Sequence, residues 1–142
     1  MKNNREMLIS VLKTAQTGQS GIRSVLDASM RPGLRKALES QLLEYDVIES
    51  EASAIASARG WELKELPAGK RLLCSMTAHA KLGFGNTDSR IAGMMIRSNT
   101  KGMIQGLKHL HQFAGEDSQV KALSQRLLDC ETANIRQMQS FL

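Results

Sequence analysis

Proline, aromatic residues and cysteine are all scarce in this chain, and each scarcity removes a class of structure. There are two prolines, one Trp, one Tyr and three Phe, with few runs of β-branched residues. Strands draw on Val, Thr, Tyr and Phe, whereas the abundant Leu, Ala, Met, Glu, Lys, Arg and Gln favour helix. No stretch alternates polar and apolar residues as a half-buried strand would. The two cysteines, Cys74 and Cys130, have no CxxC or CxxH company and read as reduced, core-facing thiols of a cytoplasmic protein. No apolar run is long enough to span a bilayer, so no membrane partner is expected. The start, Met-Lys-Asn-Asn-Arg-Glu, leads into an amphipathic segment and does not read as a secretory signal.

What is present is a repeat. An offset of 85 positions lays Gly21-Ile22-Arg23-Ser24-Val25 on Gly106-Leu107-Lys108-His109-Leu110 and Lys36-Ala37-Leu38 on Lys121-Ala122-Leu123. The same offset carries Leu42-Leu43-Glu44-Tyr45 onto Leu127-Leu128-Asp129-Cys130. Within the first copy, Leu8, Val11, Ala15, Gly18, Ile22 and Val25 keep one helical stripe from about Asn3 to Ser29, until Arg31-Pro32-Gly33 breaks it. Leu34, Leu38, Tyr45, Ile48, Ala52 and Ile55 form a second stripe, which Gly60 closes beside Arg59. In the second copy a helix from about Asp88, capped by Thr87 or Asp88, carries Ile91 to Leu110 and ends near Phe113. The last helix follows Gly115-Glu116-Asp117-Ser118 and holds Val120, Leu123, Leu127, Cys130, Met138 and Phe141 on one face.

The 142 residues thus read as a single domain: hairpin repeats at 3–59 and 88–142, joined by a crossover at 60–87 with a shorter helix of its own, about Lys70 to Leu82. Hairpin, long connection and hairpin is the connectivity of an all-α four-helix bundle with one crossing connection, as in ferritin-like folds. Interior glycines lower helix propensity by about 1 kcal/mol each, so Gly18, Gly21, Gly93, Gly102 and Gly106 call for a reason. Because Gly21 and Gly106 are repeat equivalents, a close contact between the first helix and the helix from Asp88 is expected there.

The duplicated hairpin resembles the ferritin-like superfamily. Leu12 through Trp61 also resembles the small bundles related to spore-coat protein F and uncharacterised bacterial ferritin-like families. Arg31-Pro32-Gly33-Leu34-Arg35, the pattern through Gln41 and Tyr45, and Arg59-Gly60-Trp61 carry that second likeness. It implies a structural or assembly role, with a metal- or small-molecule-binding redox or storage protein as the alternative.

Dinuclear-metal bundles place a Glu on each of two helices and a Glu-x-x-His pair on each of the other two, so that carboxylate and imidazole converge from one face. Here Glu49 and its equivalent Asn134 are followed three residues later by Ala52 and Gln137. The first helix has acids only at Glu6 and Asp27, near its ends. The expectation is no metal centre and no cofactor, with Tyr45, Glu49 and Asn134 forming a buried polar contact instead. His109 and His111 lie about 200° apart around a helix and cannot chelate one ion together, and His79 stands alone in the crossover. No nucleophile and base can be paired, and Gly83-Phe84-Gly85 lacks the third glycine of a dinucleotide loop, so no catalytic residue is assigned.

Charge is segregated. Glu39 to Glu51 holds five acids and no base, whereas Lys70 to Lys108 holds seven bases against Asp88 alone. The bases are widely spaced without interleaved aromatics, which argues against nucleic acid despite the net charge of +5. Adjacent Met94 and Met95 cannot both enter one seam, so Arg90, Met94, Met95 and Arg97 are expected to form an association face of a homodimer. The functional expectation is a non-enzymatic structural or protein-interaction bundle.

Overall fold

The computed structural model describes residues 1–63 and 87–142. The expected helix at Lys70–Leu82, with His79 and Cys74, lies outside the described residues. Those described form four long helices: α1 Asn4–Val25, α2 Pro32–Ala58, α3 Thr87–Gln112 and α4 Ser118–Gln139. No strand occurs among them, only an isolated bridge between Lys2 and Phe113.

The helix ends follow from local chemistry. Asn3 caps α1: its Oδ1 accepts from the Glu6 amide at 2.9 Å, and the Asn3 amide donates to Glu6 Oε2 at 3.1 Å. Pro32 opens α2, where a missing amide proton does no harm and its fixed φ suits a first turn. At the other end of α2 the Gly60 amide donates to Ser57 O and the Trp61 amide to Ala56 O, with Gly60 at φ 69°. That pairing satisfies two terminal carbonyls through a left-handed residue, which explains why Gly stands there. Asp117 caps α4 by accepting from Gln119 and Val120 amides at 3.0 and 3.2 Å. Asp88, expected as a cap, lies inside the first turn of α3 and instead accepts from the Arg31 amide at 3.1 Å.

These contacts also set the directions. The Lys2 amide donates to Gln112 O and Asp117 N to Asn4 Oδ1, so α1 starts where α3 ends and where α4 starts. Arg59 meets Asp117, joining the end of α2 to that same end of the bundle. Hence α1 runs antiparallel to α2 and α3, while α2 and α3 run parallel. Arg35 reinforces the hairpin, its guanidinium donating to the carbonyls of Leu26 and Ala28 just past α1.

Apolar stripes from all four helices meet in one core that includes Leu8, Ile22, Leu38, Ile48, Ile91 and Val120. Burying such a side chain stabilises by about 1.5–3 kcal/mol, which makes this core the main source of cohesion. Met95 belongs to it, and Met94 packs partly buried against it. Arg90 and Arg97, the other two members of the expected association face, are exposed. Among the described residues acids of α2 pair with bases of α1 and α4. Glu44 and Glu51 of α2 both pair with Arg126 of α4, and Asp46 pairs with Arg23 of α1.

The glycines do not follow the repeat. A Cβ on Gly21 would meet nothing within 4 Å, and one on Gly106 would make an ordinary 3.6 Å contact with Leu128 of α4. The expected Gly21–Gly106 helix contact is therefore corrected. Close packing falls instead on Gly18, where a Cβ would lie 2.5 Å from the Tyr45 ring, and on Gly102, where it would lie 2.9 Å from Glu131 Oε1. Gly18 and Gly102 are not repeat equivalents, so self-comparison of the sequence could not single them out.

Candidate functional site

Between α1 and α3 the glycines leave a cleft of about 290 Å³, lined on α1 from Lys13 to Ile22 and on α3 from Met95 to Gln105. Its floor comes from the other hairpin arms: Gln41 and Tyr45 of α2 and Glu131 of α4. Gln41 and Tyr45 are one helical turn apart and so share a face. Gly18 lets the Tyr45 ring slide beneath α1, and Gly102 lets the Glu131 carboxyl lie against the α3 backbone.

The floor is a polar network inside an apolar core. Tyr45 is 2 % exposed and its hydroxyl donates to Asn99 Oδ1 at 2.9 Å. Asn99 cannot turn around, because its Nδ2 donates to Met95 O at 2.8 Å. Asn134 Nδ2 donates to the Tyr45 hydroxyl at 3.4 Å and lies 3.7 Å from Cys130 Sγ. Tyr45 and Asn134, both named from the sequence, do meet. Glu49 does not join them: it is half-buried, and the carboxyl beside Tyr45 belongs to Glu131, which is 3 % exposed. The reason is rotational. Glu131 stands three residues before Asn134 on one α4 face, whereas on α2 the buried face continues from Tyr45 through Ile48 and Ala52 and leaves Glu49 at its half-buried margin.

Burial dominates the electrostatics. It pushes the Glu131 carboxyl up to about 7, against a smaller downward pull from the Tyr45 hydroxyl. Burial likewise raises Tyr45 well above its usual 10.0, helped by the charge of Glu131. The Cys130 thiol is driven to about 12, chiefly by burial and then by Glu131 and Glu44, so at neutral pH it is a protonated thiol and a poor nucleophile.

Gln41 is 4 % exposed; its Nε2 donates to Gln137 Oε1 at 2.8 Å, yet its buried Oε1 accepts no hydrogen bond. A buried acceptor without a donor carries a desolvation penalty of about 1–3 kcal/mol, and Gln41 is one of the residues lining the cleft. The sequence offered no signal for Asn99 or Glu131 beyond their helical spacing, and Gln41 entered only through the likeness to spore-coat-type bundles. Among the described residues no three His, Cys, Asp or Glu side chains converge as a metal site. No described helix is long and apolar enough to cross a membrane.

Comparison with known proteins places the chain by shape. A crystal structure described as a DUF305 fragment from Deinococcus radiodurans superposes with a TM-score of 0.75 over 99% of this chain and 95% of that one, at 14% sequence identity. The likeness shows a shared all-helical fold. No protein-family model matches the sequence, and no curated protein does.

Proposed function

We propose that this chain is a non-enzymatic binding protein, a ferritin-like bundle whose α1–α3 cleft takes a small polar molecule. One observation carries the reading: a solvent-reaching cleft ends on three buried polar side chains, Gln41, Tyr45 and Glu131, and one of them has an acceptor atom with no donor. Small-molecule sites are mostly apolar hollows with a few convergent polar groups, and this cleft has that composition. Cys130, next to Asn134 and outside the cleft lining, is held protonated, which fits binding better than thiol-based turnover.

NMR of the labelled full chain tests it. Panels of small anionic, cationic, zwitterionic and neutral polar molecules are titrated while the side-chain amide signals of Gln41 and Asn99 are followed. At least one class should move both signals, and Gly21→Phe, which lays a ring over the cleft from a position with open space, should abolish the response. If no class moves them, the reading fails.

A structural or assembly role as a homodimer is the second reading. Leu43 and Val47 on α2 and Ile104 and Leu107 on α3 are large apolar side chains at least 36 % exposed, and self-association would cover them. Sedimentation across a dilution series separates the cases, since a monomer at all concentrations refutes the dimer.

A further inference from the structure

We propose that the ligand of this cleft is a short amino-carboxylate zwitterion, bound with its ammonium on the floor at Glu131 and Gln41 and its carboxylate at the rim between Lys13 and Lys101. The inference rests on the binding reading above and adds the ligand's charge pattern and orientation.

The floor presents a buried carboxyl and an amide oxygen without a donor. Tyr45 has one hydroxyl proton, and Asn99 Oδ1 takes it. Asn99 has given one of its two amide protons to Met95 O, and Gln41 one of its two to Gln137. Glu131 and Gln41 line the cleft, the first with a carboxyl that burial keeps protonated up to about 7 and the second with a buried Oε1 that accepts no hydrogen bond. Thr17, which also lines the cleft, spends its hydroxyl proton on Lys13 O at 2.9 Å and adds a further acceptor. An ammonium group supplies three donors and a positive charge that favours the ionised form of Glu131 over the protonated form burial promotes, and a charge-assisted bond to a carboxylate is the stronger kind. A neutral hydroxyl brings one proton and no charge. A carboxylate would set acceptor against acceptor there.

The rim has the opposite character. Lys13 on α1 and Lys101 on α3 flank the mouth, both exposed, and no described carboxylate pairs with either. Two cations above an acceptor floor repel a simple amine on its way in but complement a molecule that is anionic at one end and cationic at the other. The cleft of about 290 Å³ has room for a chain of a few carbons between the two ends.

The test uses 5-aminovalerate with two single-ended analogues, pentylamine and valerate, titrated calorimetrically into the full chain. The two-ended probe should bind at least about tenfold more tightly than either analogue, equivalent to about 1.4 kcal/mol. Glu131→Gln, nearly the same shape, should weaken 5-aminovalerate and pentylamine by about tenfold or more and leave valerate unchanged. Lys13→Gln with Lys101→Gln, both at exposed positions, should weaken 5-aminovalerate and valerate only. Valerate or pentylamine equalling 5-aminovalerate overturns the proposal, as does a Glu131→Gln chain that binds like the parent. If the amide signals of Gln41 and Asn99 respond to another class of molecule but not to this one, the zwitterion is wrong and the cleft stands. If they respond to none, both fall.

Discussion

Replacing Gly18 and Gly21 separately with Ala should move stability in opposite directions, although the two lie three residues apart on one helix. Both substitutions gain about 1 kcal/mol of helix propensity. At Gly21 the new methyl meets nothing within 4 Å, so that gain survives. At Gly18 the methyl would lie 2.5 Å from Tyr45 Cζ, and ordinary carbon contacts need about 3.5–4 Å, so the ring must move by about 1 Å. The ring is not free to do so, because its hydroxyl is fixed by Asn99 at 2.9 Å and Asn134 at 3.4 Å. Overpacking of this kind costs about 1–3 kcal/mol, and a buried hydrogen bond broken by the shift adds about 1–3 more. Net of propensity, Gly18→Ala should lose about 1–5 kcal/mol and Gly21→Ala gain up to about 1. For a chain of this length each kcal/mol moves Tm by about 2–4 °C, and urea midpoints should shift with unchanged slope. Tyr45 is the chain's one tyrosine, so its absorbance reports the ring's displacement directly. A Gly18→Ala protein as stable as its parent would refute the packing described for the cleft floor.

Stability should fall as pH rises from about 4.5 to about 7, because folded Glu131 keeps a proton that the unfolded chain, with its ordinary 4.5, releases. The slope reaches at most about 1.4 kcal/mol per pH unit, and Glu131→Gln should flatten that window while leaving lower pH unaffected; identical pH profiles for the two proteins contradict it. Cys130, raised to about 12, should resist iodoacetamide at pH 8 in the native chain and react once urea unfolds it, as mass spectrometry of its peptide would record. Asp117→Ala should lose about 1–2 kcal/mol by urea titration, since it removes the α4 cap and the Arg59 partner together. Burial works to raise Asp117, but the hydrogen bonds from Arg59 and the Val120 and Gln119 amides leave it lowered, so its contribution is present above the ordinary 3.8 and is lost as pH falls through the folded value.

The sequence by itself determined the helices and most of their ends. Asn3, Pro32, Gly60 and Asp117 act through contacts with their own near neighbours, and such local chemistry can be read without knowing the fold. Periodicity also placed Leu8, Ile22, Leu38, Ile48 and Val120 inward, because an apolar stripe has only one place to go. Tyr45 and Asn134 were legible as partners for a related reason, each lying on the inward face of its helix. What only the tertiary structure decided is which glycine touches what, and which carboxyl is buried. Those outcomes depend on the rotation and separation of two helices to a fraction of a turn, and the repeat does not encode that. Gly21 and Gly106 match in sequence yet face open space and Leu128, while unmatched Gly18 and Gly102 admit Tyr45 and Glu131. Likewise Glu49 was the acid at the expected repeat position, but Glu131 is the one that the packing of α3 on α4 carries inside. The cleft exists because four helices, each ordinary by its own sequence, meet with two glycine-thinned edges opposite one another.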